Sequence, residues 1–285
     1  METERLIKFT KLHGTGNDFV LIDAHSIQRD WEALAIKVCD RHFGVGADGI
    51  LLVLPSTKAS ARMRVINPDG SEAEMCGNGV RCFSKYILER GVVSKNAPLT
   101  VETLAGIHPI EVTWRGDKVA TVKVGMGAPR FKPEEIPVSV PEKLDRVFDY
   151  PIKANGSSFS VTGISMGNPH AVAFVKEPVD SLDLATVGPV VEHLKVFPRR
   201  VNFEIVNVID KGNVKARVWE RGAGLTMACG SGASAIAVAG RLHGLTGDSV
   251  NVQLPGGPLK IDWDGKGEVW LTGPAEEVFT GELPE

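Results

Sequence analysis

The chain has 285 residues, enough for about two domains, and its 43% hydrophobic and 24% charged content is the mix of a folded globular protein. Thirty-two Lys and Arg against 35 Asp and Glu leave a net charge of −3, which offers no basic field for a nucleic-acid backbone. The opening Met-Glu-Thr-Glu-Arg has no basic stretch running into an apolar one, so neither a secretion signal nor a transit peptide is expected, and the cytoplasm is the default location. The longest uncharged stretch, residues 223–240, holds several glycines and hydroxyl side chains and reads as a buried segment rather than a membrane span. The four cysteines, at 39, 76, 82 and 229, have neither Cys-x-x-Cys spacing nor matching histidines. No zinc site or disulfide framework is expected, and the thiols should be free and reduced.

In chain order, alternation predicts strands over 6–12 and 19–24, a helix at Trp31, strands over 50–54 and 62–66, and a helix after Cys76. A hairpin follows over 99–114, turning at Ala105-Gly106, and then a strand over 119–124. In the first helix Trp31, Leu34, Ala35, Val38 and Cys39 make one apolar stripe behind an Asp30 cap, which places Cys39 in the core. The second helix runs through Val80, Phe83, Ile87 and Leu88 to a stop at Gly91.

The second half repeats this order. Gly16-Asn17-Asp18-Phe19 is echoed by Gly167-Asn168-Pro169-His170 before a strand over 171–175, and the Trp31 helix by a helical pattern over 182–195. Strands over 202–208 and 215–220 match those over 50–54 and 62–67, and Gly256-Gly257 matches the hairpin at Ala105-Gly106. Met75-Cys76-Gly77-Asn78-Gly79 matches Ala228-Cys229-Gly230-Ser231-Gly232, and the offset drifts only from 151 residues at Asn17 to 153 at the cysteines. Two homologous halves are expected: 1–127 with the tail 274–285 crossing back to it, and 128–273. The helical stretch 233–242 is apolar on nearly every side and must be wrapped by strands. The expected fold is therefore α+β, two domains related by a pseudo-two-fold, each a curled, mostly antiparallel sheet around a central helix.

Cys76 and Cys229 each precede Gly-x-Gly and a helix, where unpaired N–H groups favour an anion. In a molecule with internal two-fold symmetry the two thiols are expected to face each other across an interdomain cleft. Such a pair suits inversion of a carbon stereocentre: a thiolate removes the α-proton from one face and a thiol returns one to the other. The carboxylate beside that carbon would sit at the helix N-termini. A helix terminus supplies about 0.3–2 kcal/mol, which lowers a thiol only to around 7 to 8, so one thiolate is reachable and two are not. His170 and Glu220 are candidates to assist the proton transfer, and Arg221 is a candidate carboxylate fork.

Four ordered motifs carry a resemblance: K-L-H-G-T-G-N-D-F from 11, N-P-D-G-S-E-A-E-M-C-G-N-G-V-R-C from 67, G-N-P-H from 167, and E-R-G-A-G-L-T-M-A-C-G-S-G-A from 220. Together they resemble the diaminopimelate epimerases, over about residues 7–280. Proline racemases resemble the two cysteine loops but not the approach to Cys76, and phenazine-biosynthesis isomerases of this fold lack the cysteine pair. The resemblance implies a cofactor-independent interconversion of LL- and meso-diaminopimelate, in the route to lysine and cell-wall cross-links. It implies Cys76 and Cys229 as the acid/base pair. Asn17, Asn67, Asn78, Asn168, Asn202, Glu220 and Arg221 would hold the substrate, with the backbones of Gly77, Gly230 and Ser231 at the reacting carboxylate. His170 and Glu220 would tune the thiols. Gly49 stands where some members have a substrate-contacting Gln, and Leu225 replaces a Glu often found in the second cysteine loop. Cys82, about 240° round the helix from Cys76, is read as structural. The expected partner is the small-molecule substrate, with no cofactor, metal, nucleic acid or membrane; a homodimer stays open.

Two other readings compete. Gly230-Ser231-Gly232-Ala233-Ser234-Ala235 resembles a dinucleotide fingerprint, but residues 222–229 before it read as loop and the first half lacks the pattern. A redox switch or an amino-acid binding module would use the same thiols and asparagines without turnover.

Overall fold

The computed structural model describes residues 6–140 and 144–284, so the leader reading on residues 1–5 lies outside the described residues. The chain divides into two compact units, one running to Val124 and resuming at Thr272, the other spanning Gly125–Leu271.

In the first unit β1 (Leu6–Gly14) and β2 (Asn17–Asp23) form a hairpin whose turn residues, Thr15 and Gly16, both take positive φ (52° and 81°). That pair of dihedrals matches the twist of the flanking strands. α1 (Trp31–Cys39) starts where the Asp30 carboxylate accepts the Ala33 N–H at 2.9 Å. β3 (Ile50–Leu54) runs parallel to β2 and antiparallel to β4 (Ala61–Ile66), with the short β5 (Glu72–Ala73) folded onto β4. Ile50 and Leu52 join the α1 cluster of Trp31, Leu34, Ala35 and Val38, while Leu51 points the other way, against α2 (Gly77–Glu89). The period of two covers the sheet with a helix on each face, so β3 is apolar throughout. β6 (Leu99–Thr103) lies parallel to β4, and β7 (Gly106–Arg115) and β8 (Lys118–Gly125) continue antiparallel.

The second unit repeats this plan. β9 (Tyr150–Ala154) pairs with β10 (Ser157–Ser165), which pairs with β11 (Pro169–Phe174). α3 (Leu184–Glu192) leads to β12 (Asn202–Asp210), parallel to β11, and then to β13 (Asn213–Glu220) and the short β14 (Gly224–Leu225). α4 (Gly230–Leu242) precedes the β15 (Ser249–Leu254) and β16 (Gly257–Asp262) hairpin, and β17 (Trp270–Gly273) follows. The last strand, β18 (Glu276–Pro284), pairs antiparallel with β1 in the first unit, the place β9 takes beside β10 in the second.

Each central helix is enclosed by its own sheet, α2 by β1 to β4 and α4 by β10, β11, β12, β15 and β16. Every residue of α4 from 232 to 240 is buried, as its all-round apolar character requires. The expected α+β class, mostly antiparallel sheets around a central helix, holds. Three local expectations change. α4 begins at Gly230 rather than 233, because the Cys229 sulfur itself caps it. α3 is trimmed at both ends of 182–195 because Asp183 caps it by accepting the Thr186 N–H and His193 leaves helical geometry. The β9–β10 hairpin was not foreseen, although Asn155-Gly156, with φ of 47° and 79°, is a strong two-residue turn signal. No helix among the described residues is long and apolar enough to cross a membrane.

Candidate active site

In both units a cysteine sulfur is the N-cap of the central helix. Cys76 Sγ accepts the Gly79 N–H at 3.4 Å, and Cys229 Sγ accepts the Gly232 N–H at 3.4 Å. Both cysteines hold extended backbone dihedrals, the ordinary N-cap conformation. A sulfur in that position takes one of the four N–H groups that a helix start leaves unpaired.

Around Cys76 the structure gathers Asn17, Gly77 and Asn78. The Cys76 thiol points at Asn17 Oδ1 (3.7 Å), which also accepts from Asn78 Nδ2 at 3.1 Å, while Asn17 Nδ2 donates to Asp48 at 2.7 Å. Beneath this cluster lies Arg81, fully buried. Its guanidinium donates to Asn78 Oδ1 (2.9 Å), Thr15 Oγ1 (3.1 Å), the Pro274 carbonyl (3.0 Å) and the Gly77 carbonyl (3.3 Å). All four acceptors are neutral, and burial lowers the Arg81 guanidinium to about 10, with the Cys82 and Cys76 sulfurs acting in the opposite sense. Asn67, just after β4, sits in a turn where its amide donates to Ser71 Oγ at 3.0 Å.

Around Cys229 the structure gathers Asn168, His170, Glu220, Gly230 and Ser231. Ser231 Oγ is 3.5 Å from the sulfur and accepts from Asn168 Nδ2 at 3.1 Å; Asn168 Oδ1 is 2.9 Å from His170 Nε2. Glu220 accepts from Thr226 Oγ1 at 2.6 Å and from the Cys229 thiol. Asn202 donates to the Pro169 carbonyl at 2.7 Å and accepts the Arg221 N–H at 2.8 Å. The Arg221 side chain is exposed and, among the described residues, donates to the Arg199 carbonyl at 3.3 Å.

The electrostatics of the two caps differ. At Cys229 burial and then the Glu220 carboxylate push the thiol well above its ordinary value, outweighing the Ser231 hydroxyl and the Gly232 N–H. The cause lies in four equivalent positions. Where the second unit has His170, Glu204, Glu220 and Ser234, the first has Phe19, Leu51, Asn67 and Arg81. The Cys76 cap thus sits over a buried cation, and the Cys229 cap over buried carboxyl groups. Glu204 and Arg81 were not singled out from sequence, though Glu204 lies between the apolar Phe203 and Ile205 and Arg81 between Val80 and Cys82, all buried. A side chain at Gly49 would bring its Cβ within 2.8 Å of the Ile66 carbonyl, so a Gln contact is excluded at this position without backbone movement. Leu225 is exposed, and Cys39 and Cys82 are core residues whose thiols burial pushes up to about 11 and about 12.

The family profile described as Diaminopimelate epimerase matches residues 9–132 and 162–278. The diaminopimelate epimerase of Pelotomaculum thermopropionicum is 50% identical over 279 residues, covering 97% of this chain and 98% of its own. That of Moorella thermoacetica is 51% identical over 279 residues, 97% and 99% of the two chains. Among solved structures, a probable proline racemase from Agrobacterium radiobacter K84 superposes with a TM-score of 0.72 at 18% identity, over 97% of this chain and 92% of that one. A phenazine biosynthesis protein of the PhzF family from Bacillus anthracis gives 0.69 at 20% identity, over 98% and 99%. These two likenesses are of fold. The agreement of profile, near full-length identity, repeated topology and paired sulfur caps has one consequence: the chain belongs to the diaminopimelate epimerase family.

Proposed function

We propose that this protein interconverts LL- and meso-diaminopimelate without a cofactor, in the supply of lysine and cell-wall precursors, with Cys76 and Cys229 acting on one α-carbon from opposite faces. The observation that carries the mechanism is the pair of sulfur N-caps, each accepting an N–H three residues on at 3.4 Å, on equivalent helices of the two units. In this reading Cys76 is the base of the resting enzyme. Its thiolate takes the α-proton, the electron pair left on carbon spreads onto the adjacent carboxylate, and the Cys229 thiol gives its proton to the other face. The products are a Cys76 thiol, a Cys229 thiolate and the inverted centre, and the reverse turnover uses the groups in exchanged roles. The elevated Cys229 thiol supports this order, because a group held neutral is ready to serve as the acid.

The N–H groups of Gly77, Gly230 and Ser231 at the helix starts hold the reacting carboxylate, where charge grows as the proton leaves. Asn17, Asn67, Asn78, Asn168, Asn202, Glu220 and Arg221 supply polar contacts to the remainder of a substrate that carries an amino-acid group at each end. His170 and Glu220 adjust the Cys229 environment. The same reading has the enzyme working in the cytoplasm on a free small molecule, without nucleic-acid or membrane partners, and open to homodimer formation.

Solvent-deuterium incorporation into diaminopimelate, followed by mass spectrometry, tests the assignment. Wild-type protein should exchange the α-proton, and Cys76→Ala or Cys229→Ala should each lower epimerisation by roughly 100- to 10,000-fold, the usual contribution of a proton-transfer group. Either alanine variant turning over near the wild-type rate would exclude the two-base mechanism. Lysine, which lacks the distal carboxylate, should be a very poor substrate because the groups that pair with that carboxylate are left unpaired.

A further inference from the structure

Glu204 sits at the third position of β12, wholly buried beneath the start of α4, and no candidate role read from the sequence falls on it. Its Oε1 is 2.7 Å from His170 Nδ1, and its Oε2 is buried with no hydrogen-bond partner. A Cβ on Gly232 would come within 3.0 Å of Oε1, so the carboxyl lies directly under the helix turn that Cys229 caps.

From Glu204 a continuous chain of polar contacts leads to the sulfur. His170 Nε2 meets Asn168 Oδ1 at 2.9 Å, Asn168 Nδ2 donates to Ser231 Oγ at 3.1 Å, and Ser231 Oγ is 3.5 Å from Cys229 Sγ. The donors and acceptors fix its direction. Because the Asn168 amide nitrogen is spent on Ser231, its oxygen faces His170 and must accept, so Nε2 carries a hydrogen. Nδ1 then either donates to an ionised Glu204 or accepts from a protonated one. Ser231, having accepted from Asn168, has its own hydrogen free to point at the sulfur.

We propose that Glu204 is a positioning residue that sets the polarity of this relay, so that the Ser231 hydroxyl donates to Cys229 and stabilises the thiolate formed when Cys229 gives up its proton. The proposal rests on the two-base reading above, in which that thiolate must form within a buried site. Without an acid at 204, His170 is free to carry its hydrogen on Nδ1. Nε2 then accepts, the Asn168 amide turns to donate to it, and the Asn168 oxygen draws the Ser231 hydrogen away from the sulfur. Glu204→Gln retains a donor that Ala lacks, since its amide nitrogen is able to donate to Nδ1 of the same tautomer, the orientation the Asn168 oxygen selects from the other side.

The strands packed against α4 bring His170, Glu204, Asp210, Lys260 and Asp262, and α4 itself brings Arg241. Asp210 and Lys260 are exposed, Asp262 pairs with Lys260 at 3.4 Å, and Arg241 pairs with Asp248 at 2.7 Å, so none of these joins the relay. Glu220 on β13 meets the sulfur directly and is common to all the variants below.

The test uses the full-length protein and iodoacetamide, with the site of modification mapped by peptide mass spectrometry across pH. Glu204→Ala should move the midpoint for Cys229 alkylation upward by about one pH unit, which is a tenfold loss of thiolate at a given pH, while Glu204→Gln should stay within about 0.3 unit. If Glu204 acted only as a negative charge, both variants would move the midpoint downward. If it only filled space, the isosteric Gln would match wild type and Ala would lose thermal stability without an upward shift. Either result overturns the relay. Nitrogen-15 NMR of histidine-labelled wild-type protein supplies a check independent of variant folding: His170 should show a protonated Nε2, and a bare Nε2 would refute the proposed polarity. None of these readouts needs turnover, so loss of the two-base reading in the cysteine variants remains a separate outcome.

Discussion

Two sulfur caps of the same geometry differ in what lies beneath them. Arg81 is a buried cation whose hydrogen bonds all end on neutral oxygens, so a negative sulfur at Cys76 is its natural electrostatic complement. Replacing Arg81 with Met should slow alkylation of Cys76 by iodoacetamide at pH 7 by about tenfold, whereas Arg81→Lys, which keeps the charge, should lose less. The Met variant should also be destabilised by about 2–3 kcal/mol, because the Thr15, Asn78 and Pro274 acceptors lose their donor in the interior. Pseudo-first-order modification rates at Cys76, with urea unfolding run beside them, decide the point, and an unchanged rate would remove Arg81 from the account. In the same experiment Cys39 and Cys82 should stay unmodified until the protein unfolds, since burial holds their thiols near 11 and 12.

Among the elements, the two outer helices depend on small devices. The Asp30 carboxylate caps α1, and Asp30→Ala should cost about 1 kcal/mol while leaving activity near wild type, because α1 packs on the sheet face opposite α2. α3 is held closer. A Cβ at Gly188 would approach the Trp219 ring within 2.5 Å, so the helix lies directly on that indole. The indole N–H donates to Glu192 at 2.7 Å, and Glu192 also accepts the Gly222 N–H at 3.0 Å, which ties α3 to the turn carrying Arg221. Gly188→Ala gains helix propensity of about 1 kcal/mol but forces this contact apart, and the net should be a loss of about 1–3 kcal/mol. A midpoint in urea equal to or above wild type would show that the ring can give way.

At the scale of the whole molecule, acid should weaken the first unit through Asp18. Burial raises this carboxyl, but hydrogen bonds from Arg41 and Lys11 and the charge of Lys11 outweigh it and hold the value at about 2. The unfolded value is about 3.9, so the folded protein binds the proton later. The resulting stability is fully present above pH 4 and is lost as pH falls from about 4 through about 2. Allowing for partial solvent screening, it amounts to about 1–2 kcal/mol. Asp18→Asn should remove it at neutral pH and flatten the acid limb of a urea-midpoint profile, and a slope as steep as wild type would assign the acid sensitivity elsewhere. Much of the architecture was legible beforehand. Helix and strand positions followed from apolar period, both cysteine loops from their Gly-x-Gly context, and the internal repeat from an offset that stays between 151 and 153 residues. Those are local or translational properties, written in the order of residues. The β9–β10 hairpin was missed because its strands carry Lys, Ser and Pro on an exposed face, with only Asn155-Gly156 to mark the turn. The raised Cys229 thiol, the charge beneath each cap and the hydrogen bonds of Asn202 depend on what strand pairing lays against a helix turn. Glu204 and Gly232 are 28 positions apart, and Arg81 and Pro274 are 193 apart, yet each pair meets in the interior. A helix start offers the same N–H groups in both halves; burial and the charge placed beside each sulfur differ, and only the folded chain supplies them.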